Sequence, residues 1–142
     1  MDEAPRELFR VENLSAGKLV RDVSFSVRAG EILGIAGLVG SGRTEAMRAI
    51  FGADRPSAGS ISVRGETVHI ASPRDAVRAG ICLLTEDRKG QGLMLDMSCA
   101  QNMTITDLQA VTRRGLLQTR REAEVATELI DALSIRAQSP AQ

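Results

Sequence analysis

The sequence predicts an α/β fold in which a glycine-rich loop connects a buried β-strand to an α-helix. The loop spans 37–42, follows the apolar run 31–36 and precedes a helix-like segment at 44–51. Strand, glycine loop and helix in this order form the arrangement that holds a nucleotide phosphate. A second short apolar run, 81–84, predicts another strand buried on both faces.

Two strands are predicted before the loop. Residues 8–14 alternate apolar and polar side chains, and 22–28 place Val23, Phe25 and Val27 on one face. The segment 15–18 reads as the turn between them. This pair predicts an antiparallel β subdomain on the N-terminal side of the glycine loop.

Between the loop and the second apolar run, the sequence predicts a helix, a hairpin and a second helix. The helix 44–51 ends at Gly52, which suits a left-handed stop. Strands 60–64 and 67–70 form a hairpin about Gly65-Glu66. The next helix starts at Pro73 with Ser72 as its cap.

Two helices are predicted after the second apolar run. The first runs from Ser98 to about Leu108, and a hinge-like break follows at 112–115. The second spans 119–133, because its apolar residues recur at helical spacing and Thr119 with Glu122 matches a capping box.

The glycine loop matches the phosphate-binding pattern G-x-x-x-x-G-K-[ST] at Gly37, Gly42 and Thr44 but has Arg43 in place of lysine. Glycines let successive backbone N–H groups turn inward toward an anion, and the helix N-terminus adds partial positive charge. Arginine is a longer, planar group suited to static bidentate phosphate contacts. We therefore expect the loop to hold nucleotide, with impaired catalysis.

Two features beyond residue 84 each allow two interpretations. Glu86 follows a predicted buried strand, so it either reaches toward Mg²⁺ or the γ-phosphate, or belongs to a solvated charged turn. The apolar cluster Leu93, Met94, Leu95 and Met97 is either ordinary core or a partner-docking surface.

Composition narrows the class of protein. The 142 residues suffice for one domain, and 18 basic against 18 acidic residues give no sign of a nucleic-acid partner or polybasic membrane patch. Cys82 and Cys99 lack metal-site spacing, which favours reduced thiols in an intracellular protein. No apolar run approaches 18 residues, so no membrane-spanning segment is expected.

Three phrases together resemble a known family: GLVGSGRTE at 37–45, SPRDAVRAGI at 72–81, and TEDRKGQGL at 85–93 followed by Asn102-Met103. They resemble the nucleotide-binding domain of ABC transporters, a P-loop NTPase fold, and specifically the second ATP-binding cassette of bacterial monosaccharide importers. In that cassette the phosphate loop commonly has Arg for Lys and the later loop has Glu for Gln. Arg43 and Glu86 match both departures.

The resemblance implies ATP and Mg²⁺ as cofactors. Mg²⁺ would lie at Thr44 and Glu86, and no residue of the chain is expected to be catalytic. The segment 87–102 would contact the transmembrane permease subunits. ATP would lie on the nine loop residues Gly37, Leu38, Val39, Gly40, Ser41, Gly42, Arg43, Thr44 and Glu45.

The resemblance also implies a single, truncated nucleotide-binding domain over 1–142. Its core would be 8–97, and 98–142 would begin a helical subdomain that is cut before the signature motif. Such a chain alone is expected to be inactive, to need another ABC cassette as partner, and to be capable of homodimerising through an open sheet edge. The full-length protein would be cytoplasmic and peripheral on the inner face of the cell membrane.

Three functions compete at this stage. The first is an ATPase component that powers sugar import. The second is a small P-loop kinase or GTPase that uses Glu86 or Asp87 as its acidic strand end, although Arg43 would damage phosphoryl transfer. The third is a regulatory cassette that binds nucleotide without hydrolysis.

The chain has no Trp or Tyr, and the turn 15–17 lacks the aromatic on which ABC domains usually stack adenine.

Overall fold

The computed structural model describes residues 5–137 and 139–141, and it divides into two compact units. The first unit is Met1–Leu83 and the second is Leu84–Gln142. The predicted division at residue 97 into a core and a helical subdomain stays a prediction.

The first unit is built on a four-stranded antiparallel sheet of β1 (Glu7–Ala16), β2 (Val20–Arg28), β3 (Ala58–Val63) and β4 (Glu66–Val68). The strand order is β2-β1-β3-β4. Val11 in the central strand pairs with Phe25 of β2 and Ile61 of β3, so three apolar side chains stack across the sheet. The predicted antiparallel subdomain is thus present and gains the hairpin as two further strands.

One helix of the first unit covers this sheet. Helix α1 (Arg43–Ile50) buries Ala46, Ala49 and Ile50 in the same hydrophobic cluster as Val11 and Leu14 of β1. Gly52 follows with φ +74, as the predicted left-handed stop requires.

Helix α2 (Pro73–Arg78) starts where the sequence predicts, but Ser72 caps it differently. Ser72 makes no side-chain bond to the helix backbone. Its hydroxyl instead donates to the Asp75 carboxylate at 2.7 Å, which lowers the pKa of that carboxyl. The hydroxyl donates to a charged acceptor here, which makes this bond stronger than one to a neutral group.

The two predicted buried strands, 31–36 and 81–84, are wrong as strands in this structure. Neither segment joins a ladder among the described residues, and Ile32 and Leu84 are 97% and 93% exposed. A strand buried on both faces needs hydrogen-bonding neighbours at its edges and cover on its faces. No described segment supplies them.

The second unit is mainly helical. It contains α3 (Cys99–Thr104), a 3₁₀ segment (Ile105–Val111) and α4 (Thr119–Ala132). The predicted helix 98–108 therefore changes geometry after Thr104, and Asp107 leaves helical geometry altogether. The predicted break at 112–115 is a short hairpin of β5 (Thr112–Arg113) and β6 (Leu116–Leu117).

The start of α4 corrects a second predicted cap. Gln118, not Thr119, is the N-cap, and it makes no side-chain cap bond. Glu122 is only 9% exposed, and one of its carboxylate oxygens lies 3.0 Å from the Thr104 hydroxyl. Its side chain therefore joins α3 to α4 instead of closing a capping box, because an ionisable group at this depth needs a polar partner.

A helix that crosses a lipid bilayer needs about 20 predominantly apolar residues. Across 5–137 and 139–141, no helix is both long and apolar enough to cross a membrane.

Candidate nucleotide-binding site

The glycine loop before α1 has a backbone conformation that residues other than glycine could adopt only with strain. Gly40 and Gly42 have φ values of +79° and +88°, in the left-handed region that favours glycine. The Ser41 amide donates to the Leu38 carbonyl at 3.1 Å and closes the turn. The loop is therefore folded as a compact turn directly before the helix.

Helix α1 starts at this turn without a side-chain cap. Gly42 is its N-cap, and the first backbone bond into the helix runs from the Ala46 amide to the Gly42 carbonyl at 2.9 Å. The amides of Arg43, Thr44 and Glu45 precede that bond and have no backbone acceptor within the described helix. Uncapped amides at the positive end of a helix suit an anionic ligand.

Close packing explains why the loop needs two of its glycines. A Cβ on Gly42 would lie 3.0 Å from the Leu19 Cβ and 3.2 Å from the Leu19 carbonyl oxygen. A Cβ on Gly37 would lie 2.5 Å from the Ser41 hydroxyl oxygen and 3.5 Å from the Arg43 Cδ. The loop is thus folded upon itself and rests on the β1–β2 turn.

The Arg43 side chain is exposed, and no ion pair or side-chain hydrogen bond engages it within the described residues. Arg48 of the same helix contrasts with it, because its guanidinium binds the Asp54 carboxylate at 2.8 Å and lowers the pKa of that carboxyl. Arg43 therefore keeps a cation available beside the loop. Thr44 and Glu45 are exposed as well.

The loop residues Leu38 and Val39 are 86% and 100% exposed. Leucine and valine side chains carry no hydrogen-bonding atoms, so only the backbone of these two residues could bind a phosphate. The family resemblance implied that these two residues bind ATP together with the other seven, and their contribution stays a prediction.

A cavity of about 570 Å³ lies beside α1 and the β1–β2 turn. Leu19, which packs against Gly42, is one of its walls and Glu45 is another. The lining has no aromatic ring; it consists of Ala16, Gly17, Lys18, Leu19, Glu45, Asp54 and Arg55.

In the second unit, Glu86 precedes a π-helical turn, Arg88–Gly92. Asp87 organises this turn, since its carboxylate accepts from the Gly90 amide at 3.0 Å and its carbonyl from the Gln91 amide at 3.0 Å. Glu86 is exposed and forms no ion pair among the described residues. Of these two acidic residues, Asp87 therefore stabilises the turn, whereas the Glu86 carboxylate stays free to bind a ligand. Thr44 and Glu86 belong to different units, and their shared Mg²⁺ site stays a prediction.

The apolar cluster after this turn is exposed and does not form core. Leu93, Met94, Leu95 and Met97 have exposed fractions of 49%, 54%, 68% and 42%. The Met97 amide donates to the Met94 carbonyl at 3.0 Å, so the four residues belong to a defined turn. We call residues 93–97 the apolar turn.

Asn102 of α3 holds the apolar turn, a role that sequence reasoning missed. Its side-chain oxygen accepts from the Met94 amide at 2.8 Å. Its side-chain nitrogen lies 3.0 Å from the Met94 carbonyl and 3.1 Å from the carbonyls of both Met97 and Ser98. The available signal was an asparagine in a helix interior, where such side chains often bond to nearby backbone.

Comparison with known proteins decides the family. A sequence profile described as "ABC transporter" matches residues 20–141. The chain belongs to the ABC transporter family. The profile covers both units, so this ABC chain contains the glycine loop, Glu86 and the apolar turn within the matched region.

Relatives of this ABC chain have related names. A ribose import ATP-binding protein RbsA from Chelativorans sp. is 52% identical over 92% of the chain. A putative ribose/galactose/methyl galactoside import ATP-binding protein from Rhizobium meliloti is 48% identical over 92%, and the Bacillus subtilis ribose import ATP-binding protein RbsA is 44% identical over 94%. The matched part is only 26%, 26% and 27% of these relatives' own lengths.

Proposed function

We propose that this chain is the nucleotide-binding part of an ATPase that powers import of a monosaccharide, such as ribose or galactose, across the bacterial inner membrane. The observation that carries the proposal is the uncapped N-terminus of α1 behind a glycine loop with two left-handed glycines. The names of relatives at 44–52% identity support ATP binding and sugar import. In this proposal the full-length protein acts at the cytoplasmic face of the membrane.

The triphosphate would bind at the glycine loop. The free amides of Arg43, Thr44 and Glu45 would donate to phosphate oxygens, and the Arg43 guanidinium would add a charge-assisted contact. The exposure of Arg43 and its lack of an ion pair within the described residues support this role. Because Arg43 replaces a compact lysine, the loop is suited to holding the phosphates more than to following their charge during transfer.

Mg²⁺ would be held by the Thr44 hydroxyl and the Glu86 carboxylate. Both are oxygen ligands, which Mg²⁺ prefers, and both side chains are exposed. When bound, Mg²⁺ would neutralise negative charge on the phosphates. Hydrolysis would depend on another ABC cassette, and no residue of this chain is assigned as catalytic.

A phosphoryl-transfer assay separates this proposal from a kinase. We expect the chain, incubated with ATP and a panel of hydroxyl acceptors, to give neither transfer nor hydrolysis above background. Robust transfer by the chain would overturn the transporter proposal. The family match already argues against a small kinase or GTPase.

Arg43 stands where the phosphate-binding pattern has lysine, and this favours one alternative, a cassette that binds nucleotide without hydrolysing it. The two functions differ in the full-length protein. Single-turnover hydrolysis at this cassette supports the ATPase, whereas tight Mg·ATP binding with no turnover at this cassette supports a regulatory role.

We further propose that the segment 87–102 docks on transmembrane permease subunits through the apolar turn. Leu93→Asp or Met97→Asp should abolish association, because each places a charge in an apolar contact while the affected side chain is already solvent-accessible in the free chain. Co-purification with permease in nanodiscs measures association. Leu116→Asp is a matched control, since Leu116 is 70% exposed and lies outside the segment. Persistent co-purification of both variants would contradict the assignment.

The unpaired apolar segments support a further expectation, that the chain forms homodimers. Ile32 and Leu84 lie in the two segments that form no ladder within the described residues, and both are almost fully exposed. Sedimentation velocity should show a dimer that grows with concentration, and Ile32→Lys should shift it toward monomer. A monomer at every concentration would contradict the expectation.

A further inference from the structure

We propose that Asn102 is a positioning residue: its side-chain amide holds the apolar turn in the conformation that docks on the permease. This inference rests on the proposed docking function of 87–102. It adds a specific residue that does not itself need to touch the partner.

The bonding pattern indicates a dedicated support. One amide side chain serves backbone groups at three positions, Met94, Met97 and Ser98, all at 2.8–3.1 Å. It accepts from one N–H and faces three carbonyls with its two N–H donors. Asparagine is suited to this task because it alone combines donor and acceptor at this side-chain length.

The root of the turn is fixed independently by the start of α3. The Ser98 hydroxyl accepts from the Gln101 amide at 3.3 Å, and the Gln101 side chain accepts from the Ser98 amide at 3.0 Å. This capping box secures residue 98 and the helix that carries Asn102. Between Met94 and Met97 the turn has a single backbone bond of its own, so Asn102 supplies most of its remaining order.

The energetic argument concerns ordering. Four apolar side chains in water gain nothing from being held in one arrangement, so the turn needs polar bonds to stay folded before a partner covers it. A surface that is ordered before binding loses less conformational entropy when it binds. Asn102 would thus raise affinity for the permease by preorganising Leu93, Met94, Leu95 and Met97.

Asn102→Asp is the sharpest test because it preserves size and one acceptor but removes both donors. The new carboxylate would repel the three carbonyls that Asn102 bonds. Amide hydrogen exchange of the purified chain should then be at least about tenfold faster at Met97, whose bond closes the turn, since exchange follows local opening. Gln109→Glu is the matched control, an amide-to-acid change at an exposed residue of the same unit whose side chain makes no hydrogen bond within the described residues.

Association with the permease of a bacterial ribose importer, in nanodiscs and with the full-length protein, supplies the second readout. We expect Asn102→Asp and Asn102→Ala to weaken it at least about tenfold, because each removes the preorganising bonds. Mg·ATP affinity and the far-ultraviolet circular dichroism spectrum should stay unchanged. The alanine variant keeps the test decisive if the aspartate variant fails to fold.

A double-mutant cycle with Leu95→Ala distinguishes positioning from general destabilisation. Leu95 is 68% exposed and makes no side-chain hydrogen bond, so Asn102 can act on its contribution only through the turn. We expect the two effects on association to be strongly non-additive. Additive effects, unchanged exchange at Met97, or normal association by a variant with fast exchange would overturn the role of Asn102. Failure of the unmutated protein to associate would overturn the docking proposal instead.

Discussion

Replacing Gly59 with alanine should destabilise the first unit by about 3 kcal/mol or more, from left-handed strain combined with overpacking. Gly59 lies in β3 with φ +103°, opposite the irregular stretch of β1. A Cβ there would lie 2.6 Å from the Leu14 Cα, 2.7 Å from the Leu14 nitrogen and 2.8 Å from the Asn13 carbonyl oxygen. All three are backbone atoms, so no side-chain rotation relieves the contact.

Urea unfolding followed by circular dichroism measures this loss. Gly30→Ala is the matched control, because Gly30 also has positive φ, +74°, but a Cβ there meets nothing within 4 Å. We expect Gly30→Ala to cost only about 1 kcal/mol, the conformational strain alone. Equal losses for the two variants would contradict the close approach of β3 to Leu14.

The second large effect concerns nucleotide affinity. Arg43→Ala should weaken Mg·ATP binding roughly 10- to 100-fold, because a hydrogen bond to a charged group contributes about 1.5–3 kcal/mol and each 1.4 kcal/mol is about tenfold. Arg43→Lys should stay within about fivefold of the unmutated chain, since it keeps the charge while losing the planar fork. Calorimetric titration of the purified variants measures both.

Arg74→Ala is the control for this series. Arg74 is exposed in the first turn of α2, and its side chain makes no hydrogen bond or ion pair with the described part of the chain. It therefore removes one arginine from the first unit without touching the glycine loop. Equal affinities for all four proteins would mean that the triphosphate binds elsewhere.

Local patterns predicted the elements that make their contacts within the described chain. The alternation at 22–28 became β2, and the glycine loop before α1 was correctly located. These elements depend on neighbours a few residues away or on one another. Gly52 with φ +74° is the same kind of success, because a helix stop is decided within one turn.

Two predicted helix caps are wrong because the side chains concerned bond to other partners. Ser72 gives its hydroxyl to Asp75, and Glu122 lies near Thr104 on another helix. A capping pattern identifies residues that can bond, but not which partner tertiary structure brings closer. The same limitation hid Asn102, whose four backbone contacts depend on the path of 94–98.

The segments 31–36 and 81–84 show a different limitation. Their apolar composition fits buried strands, yet strand formation requires partners and none lies within the described residues. The apolar composition therefore indicated that these residues suit a buried strand, but it could not show whether neighbouring strands lie beside them. This limitation affects the glycine loop and the start of α1 less, because both form from residues that are close in sequence.

The most direct test is a titration of the ¹⁵N-labelled chain with Mg·ATP, followed through its backbone amide resonances. The proposal predicts saturable shifts concentrated at Gly40, Gly42, Arg43, Thr44 and Glu45, and absent with adenosine, which carries no phosphate. Saturation without shifts at these amides, or equal shifts with adenosine, would contradict a triphosphate held by the start of α1.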